Sequence, residues 1–123
     1  MQFTLLPHDL DEARALIYRW EIRNAAGDLL GRYVGKAKNG ASRPLNDYRV
    51  NVERLLEGRP YRAGKPDGFR RVHRALAQAQ QKGHVITLAF LCNVADDENI
   101  NDVEQHYINT LDCHGDAGWQ LNG

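Results

Sequence analysis

The side chains whose types and spacing could do chemistry are Tyr18, Tyr33, Arg43, Tyr48 and Glu104. Glu104 follows Ile100 by four residues and precedes Ile108 by four, so on a helix it lies over the apolar flank. A carboxylate half-buried among aliphatic neighbours needs a partner, and a divalent cation is one that such a site can use. The run Asn101-Asp102-Val103-Glu104 also matches a capping box, which would give the same carboxylate a purely local role. Arg43 stands at a helix start, Ser42-Arg43-Pro44, where it opposes the helix dipole but can greet an anion beside free N–H groups. Its bland alternative is an ion pair with Asp47, worth tenths of a kcal/mol if exposed. For Tyr18, Tyr33 and Tyr48 taken singly, core packing is the ordinary role.

Other chemistries lack their residues. Neither GxxxxGK[ST] nor GxGxxG occurs, and no GxSxG or Cys/His nucleophile pair stands out. The five histidines show no HExxH spacing, and Cys113-His114 with His106 would make a poor tetrahedral zinc set because two of the ligands are adjacent. Cys92 and Cys113 are isolated thiols, which suits a reducing compartment. No basic, apolar leader opens the chain and no apolar run is long enough for a membrane span, so the expected location is cytoplasmic.

The elements that must position these residues follow from periodicity. A short helix is expected at Asp9 to Ala15, with an acidic first turn. Leu16 to Asn24 alternates, with Tyr18, Trp20 and Ile22 on one face, and turns at residues 25–28 into a partner strand, Leu29 to Val34. Gly35 then acts as the hinge at which the chain leaves the strand for a polar loop, Lys36 to Ser42. Leu45, Tyr48, Val52 and Leu55 recur at helical spacing up to Gly58, and Phe69, Val72, Leu76 and Ala79 do so up to Gly83. His84 to Cys92 is apolar at nearly every position from Val85, as in a strand covered on both faces. A last helix is expected over Asp96 to Leu111, followed by a tail whose Trp119 and Leu121 dock on the core. One domain over residues 1–123 is expected, of α+β class: a small, mostly antiparallel three-stranded sheet flanked by helices, with a helical elaboration at about 58–82.

Net charge is zero, yet the charges are segregated. Residues 32 to 74 carry twelve Lys/Arg against four Asp/Glu, whereas residues 75 to 123 carry one Lys against seven acids. Such asymmetry fits a polyanion-facing side opposed to an acidic one, or solvated faces that happen to segregate.

The ordered set Leu16-Ile17-Tyr18, Tyr33-Val34-Gly35, Lys36, Arg43, Glu104 and Asn122 resembles the GIY-YIG nuclease domain, across about residues 14 to 123. YVGKA is most similar to the nuclease half of the bacterial excision-repair incision subunit. Leu16 stands where the family has glycine, the two tyrosines are a few residues further apart than usual, and Asp47 stands where the family often has His or Tyr, with Tyr48 one later. The resemblance implies a metal-dependent endonuclease that hydrolyses phosphodiester bonds in DNA, duplex or structured. One ion, Mg²⁺ or Mn²⁺, would sit on Glu104. Tyr18 would take a proton from water, directly or through a relay, with Tyr33 and Lys36 beside it, and Arg43 would neutralise transition-state charge. A free phenol of pKa ~10 is a poor base at neutral pH, so Lys36 and the metal are expected to favour the phenolate.

Tyr48 is a further catalytic candidate, and Gly35, Lys38, Arg49, Arg70, Arg74 and Asn122 are expected to contact substrate, the basic ones by tracking the DNA backbone. Specificity would come from a homodimer, a partner domain or the 58–82 segment. The competing expectation is a nucleic-acid-binding or protein-interaction module on a decayed nuclease scaffold.

Overall fold

The alternation from Leu16 onward ends in a hairpin. In the computed structural model, which describes residues 1–123, β2 (Leu16–Arg23) pairs antiparallel with β3 (Leu29–Ala37). The remaining elements are β1 (Thr4–Leu5), α1 (Tyr48–Leu56), α2 (Arg71–Lys82), β4 (Val85–Asn93) and α3 (Ile100–Thr110). The α+β class holds, but the sheet has four strands in the order β1-β4-β2-β3 and is mixed, not a three-stranded antiparallel one. β1 accounts for the difference: Thr4 and Leu5 pair parallel with Thr87 and Leu88. A strand of two residues is too short to show alternation in sequence. β4 lies between β1 and β2, as its unbroken apolar run requires.

Both sheet faces are covered. Tyr18, Trp20 and Ile22 of β2 join Leu88 of β4, Tyr48 and Val52 of α1, and Val72 and Leu76 of α2 in one core. Ile17 and Val34 join Ile108 of α3 and Cys113 in a smaller core behind the sheet. Burying a side chain of this size contributes about 1.5–3 kcal/mol. The elements that carry the chemical residues are therefore held in place by packing on both sides of the sheet.

Several boundaries differ from the sequence expectation for local reasons. Residues 9–15 form turns and no helix: the Asp11 carboxylate accepts the Ala13 N–H at 2.9 Å, and the Asn93 amide donates to the carbonyls of Asp11 and Ala15. These bonds take backbone groups that a helix would use. α2 begins at Arg71, and the segment before it is a loop, so the elaboration at 58–82 is half loop and half helix. Gly58 and Gly83 end α1 and α2 at positive φ, +69° and +68°, as anticipated.

β3 runs on through Gly35 and Lys36 to Ala37, opposite Leu16. Gly35 is therefore a strand residue and not a hinge. Its partner across the hairpin is Tyr18, and a Cβ at position 35 would lie 2.7 Å from Tyr18 Cε2 and closer still to the hydroxyl end. Glycine is required here for space.

The docked tail closes the outer edge of β3. Arg32 exchanges backbone bonds with Trp119 and Leu121, while the Asn122 amide accepts the Val34 N–H at 2.9 Å and donates to the Val34 carbonyl at 2.7 Å. A side-chain amide thus stands in for the next strand and protects the edge.

Candidate active site

Tyr18 and Tyr33 project from β2 and β3, Tyr48 from the first turn of α1, and Arg70 from the residue preceding α2. Tyr18 Oη and Tyr48 Oη are 2.6 Å apart. The Arg70 guanidinium donates to Tyr33 Oη at 2.8 Å and to Tyr48 Oη at 3.1 Å. Three phenols and one guanidinium thereby form a continuous chain that joins β2, β3, α1 and the start of α2. Arg70 was expected on the DNA backbone as one basic residue among several, yet it is the hub of this cluster.

Of the neighbours Asp47 and Tyr48, Tyr48 is buried and its hydroxyl meets Tyr18, while Asp47 is exposed. A π-helical stretch, Arg43–Asp47, widens the turn before α1 and carries this offset. Asp47 makes no ion pair with Arg43. The exposed Arg43 guanidinium lies instead beside the Tyr18 phenol.

Burial dominates the phenols. It pushes the Tyr18 hydroxyl up to about 12, with Tyr33 adding to the rise and Tyr48 and Arg43 opposing it. Tyr33 and Tyr48 are raised for the same first reason. The expectation that Lys36 would favour the Tyr18 phenolate is corrected by placement. The Lys36 ammonium donates to Asn101 Oδ1 and lies 4.0 Å from Glu104 Oε1, so the cation beside Tyr18 is Arg43.

Glu104 stands on α3 with its side chain one-fifth exposed. Asn99, not Asn101, caps α3, accepting the N–H groups of Asn101 and Asp102. The capping-box role is thus filled without Glu104, and its carboxylate is free to face Lys36. Burial raises its pKa, while Lys36, Arg43 and Arg70 pull the other way. Three cations within electrostatic reach of one carboxylate leave a local positive excess, which suits an incoming phosphate.

No trio of His, Cys, Asp or Glu side chains converges to chelate an ion. Glu104 would be the single carboxylate ligand at this centre. That set fits Mg²⁺ or Mn²⁺, which keep several waters and take one or two carboxylates plus phosphate oxygens. Asn122 is turned to the β3 edge, where both ends of its amide are engaged by Val34, so its part is to hold Tyr33 and Lys36 in register. Lys38 and Arg49 are exposed, and Arg74 opens on a separate depression with Arg59 and Asp67, away from the tyrosines.

Two residues of this centre are not among the site candidates that the sequence suggests. Asn101 receives Lys36, and His73, fully buried, accepts the Arg70 backbone N–H on Nδ1 at 3.0 Å, fixing the residue that bridges the phenols. Arg70 and His73 three apart at a helix start was the pattern available in sequence. Comparison of the chain with protein-family models, with curated proteins and with solved structures gives no match.

Proposed function

We propose that this protein is a divalent-metal-dependent endonuclease that hydrolyses phosphodiester bonds in DNA, duplex or structured. The observation that carries the reading is the meeting of Glu104 with Lys36, Arg43 and Arg70 next to the linked phenols. A homodimer or a partner domain would supply specificity.

Hydrolysis builds negative charge on the phosphate oxygens as water attacks. Arg43 is exposed and has no carboxylate partner, so its guanidinium is available to take two of those oxygens. Arg70 is held by two phenols and sets their positions. A divalent cation on Glu104 would neutralise the scissile phosphate and acidify bound water. Lys36, bonded to Asn101, keeps Glu104 oriented and adds positive charge at the same edge.

Tyr18 sets the pH behaviour. With its pKa near 12, roughly one molecule in 10⁵ carries the phenolate at pH 7. In the resting protein Tyr18 is therefore a hydrogen-bonding phenol, and its use as a base depends on the field of Arg43 and the substrate complex. The same high pKa, with Leu16 in place of the usual glycine, is what favours the competing reading of a binding module on a decayed scaffold.

The test is incubation of the purified protein with supercoiled plasmid and Mg²⁺ or Mn²⁺. Nicking that stops with a chelator, in Glu104→Ala and in Tyr18→Phe supports the assignment. Equal activity in Glu104→Ala would remove the metal role from that residue. Salt-sensitive binding without cleavage would favour the binding module.

A further inference from the structure

Beside the tyrosine cluster opens a cleft of about 330 Å³, walled by α1, by the loop before α2 and by the start of α2. Its charged lining is Arg43, Arg54, Arg62 and Arg70 against the single acid Asp47. None of the four guanidiniums has a carboxylate within 4.0 Å. Four arginines that line one concavity without a carboxylate partner repel one another. An anion with several oxygens would relieve that repulsion.

The wall that carries Arg62 is a built feature. Tyr61 donates its N–H to the Pro66 carbonyl at 3.0 Å, and Arg62 and Lys65 exchange backbone bonds, closing a small hairpin. The Tyr61 ring packs edge-on against Phe69, 5.4 Å between centroids, and carries the Arg62 guanidinium over its face at 5.0 Å. Arg54 donates to the Tyr61 carbonyl at 3.4 Å. Two arginines beyond the catalytic cluster are thus presented together on an ordered platform with an aromatic face.

We infer that this cleft binds a phosphodiester neighbouring the one that is cleaved, through Arg54 and Arg62, with the Tyr61 ring holding the Arg62 guanidinium in place. The inference rests on the nuclease reading for the identity of the strand. Continuity supports it: Arg43, Tyr48 and Arg70 line the cleft and also belong to the proposed centre, so one strand can occupy both. Planar guanidinium forks match phosphate oxygens in pairs. The 58–70 loop then extends the grip along the strand without reading base edges.

The experiment uses the full chain, oligonucleotides cleaved at a mapped position, and single methylphosphonate substitutions that neutralise each flanking phosphate in turn. Arg62→Gln removes an exposed charge, and Arg54→Lys keeps the charge but loses the fork, with thermal unfolding as the control for folding. One flanking methylphosphonate is expected to weaken binding to the native protein and to cost nothing further in Arg62→Gln. The variant should also lower the slope of log affinity against log salt by about 0.9 for the one lost phosphate contact. Losses that add in full at every position, or native affinity in Arg62→Gln, would overturn the subsite. Displacement of the oligonucleotide by an equal concentration of pyrophosphate would also overturn it, since the cleft would then be a site for a free anion. Arg62-dependent binding without cleavage refutes the nuclease reading and leaves the cleft standing as a phosphodiester-binding site. Cleavage without Arg62 dependence refutes the subsite alone.

Discussion

Tyr18 lies in the space that any side chain on its cross-strand partner Gly35 would need. The phenol thereby crosses the hairpin to reach Tyr48, and the glycine is part of the site although it offers no functional group. Gly35→Ala is expected to force the ring aside, costing ~1–3 kcal/mol as overpacking does, and to abolish most nicking. Thermal unfolding and plasmid nicking read the two effects. Combination with Tyr18→Leu should cost less stability than the sum of the single changes, since the smaller side chain removes the clash. Additive losses would show that the pair is not coupled.

Arg70 is the second point of leverage. In Arg70→Ala the Tyr33 hydroxyl loses its donor in a buried setting, a cost of ~1–3 kcal/mol. Arg70→Lys should recover little of either stability or cleavage, because one ammonium cannot reproduce a fork that spans two phenols. A lysine variant that nicks like the native protein would show that only the charge matters.

Alkaline pH should accelerate cleavage. A base of pKa about 12 gains roughly tenfold in its active form for each pH unit below that value, so the rate is expected to climb with near-unit slope from pH 7 to 10. Tyr18→Phe should be slow and nearly flat over the same range. A slope that survives in Tyr18→Phe would assign the titration to water or another group.

How much of this was legible in the sequence depended on locality. The hairpin, the α2 stripe and the interior position of β4 came from two- and 3.6-residue periods that burial enforces directly. The tail was legible because Trp119 and Leu121 are apolar where their surroundings are polar. Arg70 was not, because its partner Tyr33 is 37 residues away and a lone arginine in a basic stretch looks like any other. β1 escaped because two paired residues have no period. The role of Gly35 escaped for another reason: strand glycine and hinge glycine differ only in what lies across from them. The Glu104 alternatives separated only once Asn99 was seen to cap α3.

His73 predicts an acid-side loss of stability. Burial, with Arg70, Arg43 and Arg74 adding to it, drops its pKa from 6.5 to about 4. Between those values the unfolded chain binds a proton that the folded one does not, so stability is full above pH 6.5 and falls as the pH is lowered towards 4. The loss from this group amounts to roughly 2–3 kcal/mol. Denaturant unfolding across that window should show a shallower dependence in His73→Gln, and an unchanged slope would place the titration elsewhere.

The Asn122 amide that completes the outer edge of β3 is 88 residues beyond Val34, the strand residue it holds. The β2–β3 hairpin can close within a few tens of residues, yet the outer edge of β3 at Val34 is completed by this far longer loop closure. A contact of such sequence separation forms late and slowly. During synthesis the tyrosines and Lys36 would meet before the strand that carries two of them is closed at its outer edge, so the tyrosine cluster reaches its final order as one of the last events of folding.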